Sequence, residues 1–127
     1  MLEYTKRQTG DVTILDLSGR LSLGEAVAFG PGSGVVLANT VRELAQEGHK
    51  KIVLNLAGVN YVDSSGVGQL VGALTTARNQ GGDLKLLNPT RQVQDLLHTT
   101  NLDSVFDVHN DEAAAIQSFS KAAAARA

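Results

Sequence analysis

The hydrophobic patterning predicts an α/β fold: a small single-domain unit with a mixed, mostly parallel sheet, an N-terminal hairpin and helices packed on the sheet. Three observations lead there. Two strand-like runs at the N-terminus flank a Gly-Asp turn. Further along, uninterrupted aliphatic runs of strand length recur, the pattern of strands covered on both faces. Between them lie segments whose apolar residues repeat at helical spacing. Helices alternating with aliphatic strands make parallel crossovers the simplest connections, leaving only the first hairpin antiparallel.

In chain order, residues 2–8 and 12–17 are the hairpin arms around Thr9–Gly10–Asp11, with Val12, Ile14, Leu15 and Leu17 as strand formers. A glycine-rich connection, "RLSLGEAVAFGPGSG", follows; connections after successive parallel strands emerge at the same sheet edge, so its residues 22–34 are expected to lie near Ser64. In "VVLANTVRELAQEG", Leu37, Val41, Leu44 and Ala45 form a helical stripe and Gly48 a stop. "KIVLNLAG" reads as a buried strand. From Ser64 to about Gln80, Val67, Leu70, Val71, Leu74 and Ala77 share one helix face, and "QGGD" breaks the pattern. "DLKLLNP" is a short strand and "RQVQDLLHTT" a short helix marked by Val93, Leu96 and Leu97. "VFDVH" is the last strand. Asn110 or Asp111 caps a final helix with Ala113, Ile116 and Phe119 inward.

The 127 residues suit a single domain, residues 1–127, with a core from about 4 to 120 and an alanine-rich tail, 121–127, expected to fray. A formal charge of −2 with scattered cations argues against nucleic acid as a partner. Without cysteine, and with His49, His98 and His109 dispersed, the chain offers no metal-ligand pattern, and no cofactor is expected. No apolar stretch reaches membrane-spanning length, so the expectation is a cytoplasmic protein that does not insert in a membrane.

The stretch "NYVDSSGVGQL" carries the functional question. Asp63 or Ser64 can cap the helix, worth roughly 1 kcal/mol. A nucleophilic serine lacks the G-x-S-x-G elbow and motif-spaced partners. Phosphorylation would place a doubly charged group where helix amides stabilise it and Asp63 repels it. Spacing alone leaves these open. The helix face opposite the apolar stripe holds Ser65, Gly68, Gln69, Gly72, Thr75, Thr76 and Asn79, none charged. Two glycines there cost about 1 kcal/mol each against alanine, which points to close approach by a partner or by another part of the same molecule.

"NLAGVNYVDSSGVGQLVGAL" and "GGDLKLLNPTRQVQDLLHTTNLDSVFDV" together resemble the STAS domain of bacterial anti-sigma factor antagonists, over about residues 4–120. The resemblance implies a phosphorylation-switched binding module, not an enzyme. The unphosphorylated form binds an anti-sigma factor that is also a serine kinase and so releases the sigma factor; a serine phosphatase resets the switch. It assigns the phosphoacceptor to Ser64, its positioning to Asp63, a share in the cap to Ser65, close approach to Gly66, and the docking face to Gly68, Gln69, Gly72 and Thr76. Two departures stand out. "GRLSLG" places Ser22 near where antagonists usually carry an acidic residue, and the connection from Leu23 to Gly34 is longer than the family's. Two other readings are a non-switching STAS scaffold, in a stress-signalling assembly or a lipid-transport ABC system, and a small-ligand or nucleotide-binding module cradled by "GPGSG". That loop lacks the phosphate-loop Gly-Lys-Ser/Thr ending.

Overall fold

A computed structural model describes residues 3–21, 36–102 and 104–126. The glycine-rich loop 22–34 lies outside the described residues, and with it the expected proximity to the serines. Five strands form one sheet in the order β1-β2-β3-β4-β5. They are β1 (Glu3–Thr9), β2 (Val12–Leu21), β3 (Lys51–Val62), β4 (Asp83–Leu87) and β5 (Val108–His109). The described helices are α1 (Val36–Gln46), α2 (Ser64–Asn79), α3 (Arg91–Thr99) and α4 (Glu112–Arg126). Only β1 and β2 are antiparallel; β2–β3, β3–β4 and β4–β5 all run parallel, as the patterning predicts.

The sheet's two faces are covered unequally. Leu15, Leu17, Ile52, Leu54, Leu56, Leu84 and Leu86 join Leu37, Val41 and Leu44 of α1, Val67, Leu70, Ala73, Leu74 and Ala77 of α2, and Val93 and Leu97 of α3 in the main core. The alternate residues Val12, Ile14, Val53 and Leu87 meet Ala115 and Phe119 of α4 in a smaller one. Period-two alternation along each strand thus separates the two cores. Each fully buried aliphatic side chain contributes roughly 1.5–3 kcal/mol.

Local chemistry sets the connections. After α1, Gly48 takes φ +99°, and the His49 N–H donates back to Leu44 O at 2.8 Å. That is the left-handed helix ending glycine favours. A Cβ on Gly82 would lie 2.2 Å from Lys50 O, so the α2–β4 and α1–β3 connections touch through bare backbone. Asn88, φ +51°, turns the chain after β4, in a region asparagine tolerates better than most residues. Its N–H donates to His109 O at 2.8 Å.

Four features differ from the sequence expectation. β3 continues past Gly58 to Val62, because β2 itself runs through Gly19 to Leu21 and pairs with it to the end, with register shifts between Asp16 and Ser18 and between Gly19 and Arg20. The last strand shrinks to Val108–His109. In α4 the buried residues are Ala115 and Phe119, with Ile116 half-buried, whereas Ala113 is exposed. That helix continues through Arg126, taking in most of the alanine stretch, in line with alanine's helix propensity.

Lys85 of β4 points into the smaller core and is only 5% exposed. Its Nζ donates to Asp107 Oδ2 at 2.6 Å and lies 4.9 Å from the centroid of the Phe119 ring. The His109 Nε2 is 3.1 Å from the same carboxylate oxygen. Burial works to raise the Asp107 pKa, but the hydrogen bonds and charges of Lys85 and His109 outweigh it and hold the carboxyl below its usual range. A carboxylate depressed in the native state adds stability that is complete above the unfolded value, about 3.9, and is lost as pH falls through the native one. Asp107→Ala should cost about 2 kcal/mol in urea denaturation at pH 7, because it strands a buried ammonium. Adding Lys85→Met to it should recover most of the loss. Additive losses in the double variant would mean that the pair is not coupled.

Candidate docking and switch site at the start of α2

The site is built where β3 runs out. β4 pairs with β3 only from Lys51 to Asn55, so the last residues of β3 have β2 on one side and no strand on the other. This overhang ends at Val62, which is 1% exposed, and α2 starts two residues later. Val62 anchors the turn in the main core.

Asp63 is the N-cap. Its backbone is extended (φ −109°, ψ −173°), and Oδ1 accepts the Gly66 N–H at 3.0 Å. The Asp63 carbonyl accepts the Val67 N–H at 2.9 Å. Ser64 and Ser65 are the first two residues of α2, where the positive end of the helix macrodipole lies. Gly66 is buried beneath the cap.

The proposed docking face divides in two. Gly68 is exposed, and a Cβ there would meet nothing within 4 Å. Thr75 and Asn79 are exposed and Thr76 half-buried on the same helix. Gln69, by contrast, is buried at 8% exposure, and Gly72 faces α1, where its Cβ would stand 3.9 Å from Ala38 Cβ. For Gln69 the expectation of an open docking surface is corrected: α2 packs on the sheet and also on α1. Gly72 is half-buried on the side of α1, where a Cβ would make an ordinary contact.

Two features near the site were missed in the sequence. The Arg20 guanidinium stacks 4.7 Å from the centroid of the Tyr61 ring, and Tyr61 is 38% exposed, on the overhang just before Asp63. The Gln92 side chain of α3 reaches Val62: its Oε1 accepts the Val62 N–H at 3.0 Å and its Nε2 donates to Val62 O at 2.7 Å. Only the length of β3 exposes these roles, and the sequence reading ended that strand at Gly58.

The family model of the STAS domain matches residues 3–115. The chain belongs to the STAS domain family. This STAS chain is 34% identical to the anti-sigma-B factor antagonist of Bacillus subtilis over 76 residues, 60% of this chain and 69% of that protein. In two Thermotoga relatives the match spans 66% and 60% of their lengths. A crystal structure from Thermotoga maritima, of a protein designated an anti-sigma factor antagonist, superposes with a TM-score of 0.75 at 26% identity, covering 91% of this chain and 92% of that one. Bacillus SpoIIAA, an anti-sigma factor antagonist, shares the fold at 19% identity in both forms. The unphosphorylated form gives a TM-score of 0.70, covering 94% and 97% of the two chains, and the phosphorylated form 0.64, covering 92% and 99%. Among the described residues of this STAS domain, no helix is long and apolar enough to cross a membrane.

Asp63→Ala should cost about 1 kcal/mol and speed hydrogen exchange of the Gly66 amide, while Asp63→Asn keeps most of the cap. Gly68→Ala meets open space, so it should stabilise the free chain by about 0.5–1 kcal/mol in thermal or urea unfolding. A loss of stability there would show that Gly68 is already covered within the fold.

Proposed function

We propose that this STAS domain is a cytoplasmic anti-sigma factor antagonist whose partner binding is switched by phosphorylation of Ser64. The observation that carries the reading is the capped start of α2. A serine stands at the first helical position directly after a capping aspartate, beside an uncharged helix surface that is open at Gly68. The partner is an anti-sigma factor with serine kinase activity, and a serine phosphatase removes the phosphate. ATP belongs to the kinase. The names of the relatives support the partner class, and SpoIIAA, described in both phosphorylation forms, supports the switch.

The physics of the switch is a difference between two environments. In the free chain, water and the amides of the first turn of α2 stabilise a phosphate on Ser64, so the fold survives modification. In the complex, the same group is stripped of water beside Asp63, whose carboxylate already occupies the Gly66 amide. An unpaired charge so desolvated costs several kcal/mol, whereas a neutral serine is covered cheaply. A loss of about 4 kcal/mol weakens binding about a thousandfold. Ser65 shares the capping region, under which Gly66 is buried, so close approach at Gly66 is not available on the surface; Gly68 and Thr76 belong to the contact surface, with Thr75 and Asn79 beside them. Gln69 and Gly72 shape that surface from beneath.

The decisive measurement is calorimetry against the anti-sigma factor captured from the native host, using unmodified, enzymatically phosphorylated, Ser64→Ala and Ser64→Asp proteins. Each is first checked for a native thermal transition. Phosphorylated protein should bind at least about a thousandfold more weakly, Ser64→Asp should fall between, and Ser64→Ala should bind like the unmodified chain. Binding of phosphorylated and unmodified forms within about threefold, a difference of about 0.7 kcal/mol, would overturn the switch and leave a non-switching scaffold.

A further inference from the structure

We infer that Gln92 is a positioning residue for the serine switch: its carboxamide replaces the missing strand beside Val62 and so fixes where β3 ends and α2 begins. The inference rests on the switch reading of Ser64.

In an extended chain the N–H and C=O of one residue point to the same edge, and both need partners when the strand is buried. Val62 is paired with Leu21 of β2 on one edge. On the other, β4 has already stopped at Leu87, opposite Asn55. Gln92 supplies the missing partner with one side chain, Oε1 accepting at 3.0 Å and Nε2 donating at 2.7 Å. A carboxamide carries a donor and an acceptor on one rigid plane, as a peptide group does. Gln92 is otherwise exposed, so core packing gives no reason for glutamine at this place. Val62 is thereby held on three sides: its side chain in the main core, one edge by β2, the other by Gln92. The next residue is the capping aspartate and the one after it Ser64.

The same two bonds tie α3 to the switch. Gln92 sits in the first turn of α3, which Thr90 caps and which follows the left-handed turn at Asn88. Displacement of that turn moves the clamp, and with it the peptide leading into Asp63.

The test uses the intact chain with Gln92→Leu and Gln92→Glu. An ionised carboxylate accepts from the Val62 N–H but cannot donate to its carbonyl, whereas the protonated acid does both. The protonated acid can make both bonds and the carboxylate only one, so the clamp of the Gln92→Glu variant is present at low pH and lost as pH rises through the glutamate's own pKa. Hydrogen-exchange protection factors of Val62 and Gly66 are measured by NMR at pH 4.5 and 7.5. In parallel, phosphate occupancy of Ser64 is measured by mass spectrometry of each variant expressed in the native host.

Protection at Val62 should fall about tenfold in Gln92→Leu at both pH values, as expected for loss of about one hydrogen bond's net contribution. In Gln92→Glu it should fall similarly at pH 7.5 and recover to within about threefold of wild type at pH 4.5. Phosphate occupancy should drop in both variants. Unchanged protection, or a Gln92→Glu variant insensitive to pH, overturns the clamp. Lowered protection with wild-type phosphate occupancy overturns its role in the switch while the switch stands. Wild-type protein without phosphate on Ser64 in every growth phase overturns the switch reading itself, and the role of Gln92 with it.

Discussion

Strand β3 is twelve residues long and its neighbour β4 is five, and the geometry of the serine-bearing turn depends on that mismatch. A parallel strand that outruns its partner leaves backbone groups needing other company, and Val62 at its end is buried. β2 follows β3 to the last residue only by slipping register twice. On the opposite edge a side chain from α3 stands in for a strand. The turn at Asp63 is consequently held by groups from β2, β3 and α3 together, so that a residue at the start of a helix sits in a fixed place relative to three separate elements.

Much of this architecture was legible in the sequence because each element obeys one strong period. The buried faces of α1 and α2 follow from spacing alone: Leu37, Val41, Leu44 and Ala45 are all buried, as are Val67, Leu70, Leu74 and Ala77. Asp63 as a helix cap follows from the preference of short acidic side chains for that position. What failed to show is what depends on a second neighbour. Gln69 falls on the docking face of a helical wheel because a wheel has one inside, whereas α2 has two, the sheet and α1; the side of Gly72 towards α1 fits the alternative that a glycine there meets another part of the same molecule. The burial of Lys85 gave no sequence signal because its partner, Asp107, lies 22 positions away. Gln92 gives no signal at all, since a polar residue in the first turn of a short helix is unremarkable by composition.

Among the described residues the α2 surface around Gly68 carries little charge, with the Arg20 guanidinium over the Tyr61 ring near its start, and that matters for a charge-based signal. The helix surface around Gly68 carries Thr75, Thr76 and Asn79, while the exposed cation of α2, Arg78, lies a helix length from the serines with its Nε 3.4 Å from Asp83 Oδ1. On a surface with so few charges among the described residues one added phosphate dominates the local potential, whereas among many lysines and glutamates it would be one contribution of several. Asp63 supplies a standing negative charge against which any newcomer is felt.

The division of the interior into two cores has a consequence for motion. The switch end of the molecule belongs to the larger core, whereas α4 is attached to the other face through Ala115, Ile116 and Phe119, with Arg7 bridging Glu112 and Asp16 at its start. A helix attached through a separate contact cluster can open at lower free energy than the whole domain unfolds. When α4 lifts, the Lys85 ammonium under Phe119 regains water, which offsets part of the apolar surface exposed in the same step. Such an opening would uncover the back of the sheet without disturbing the larger core, which holds the strand end leading to Ser64.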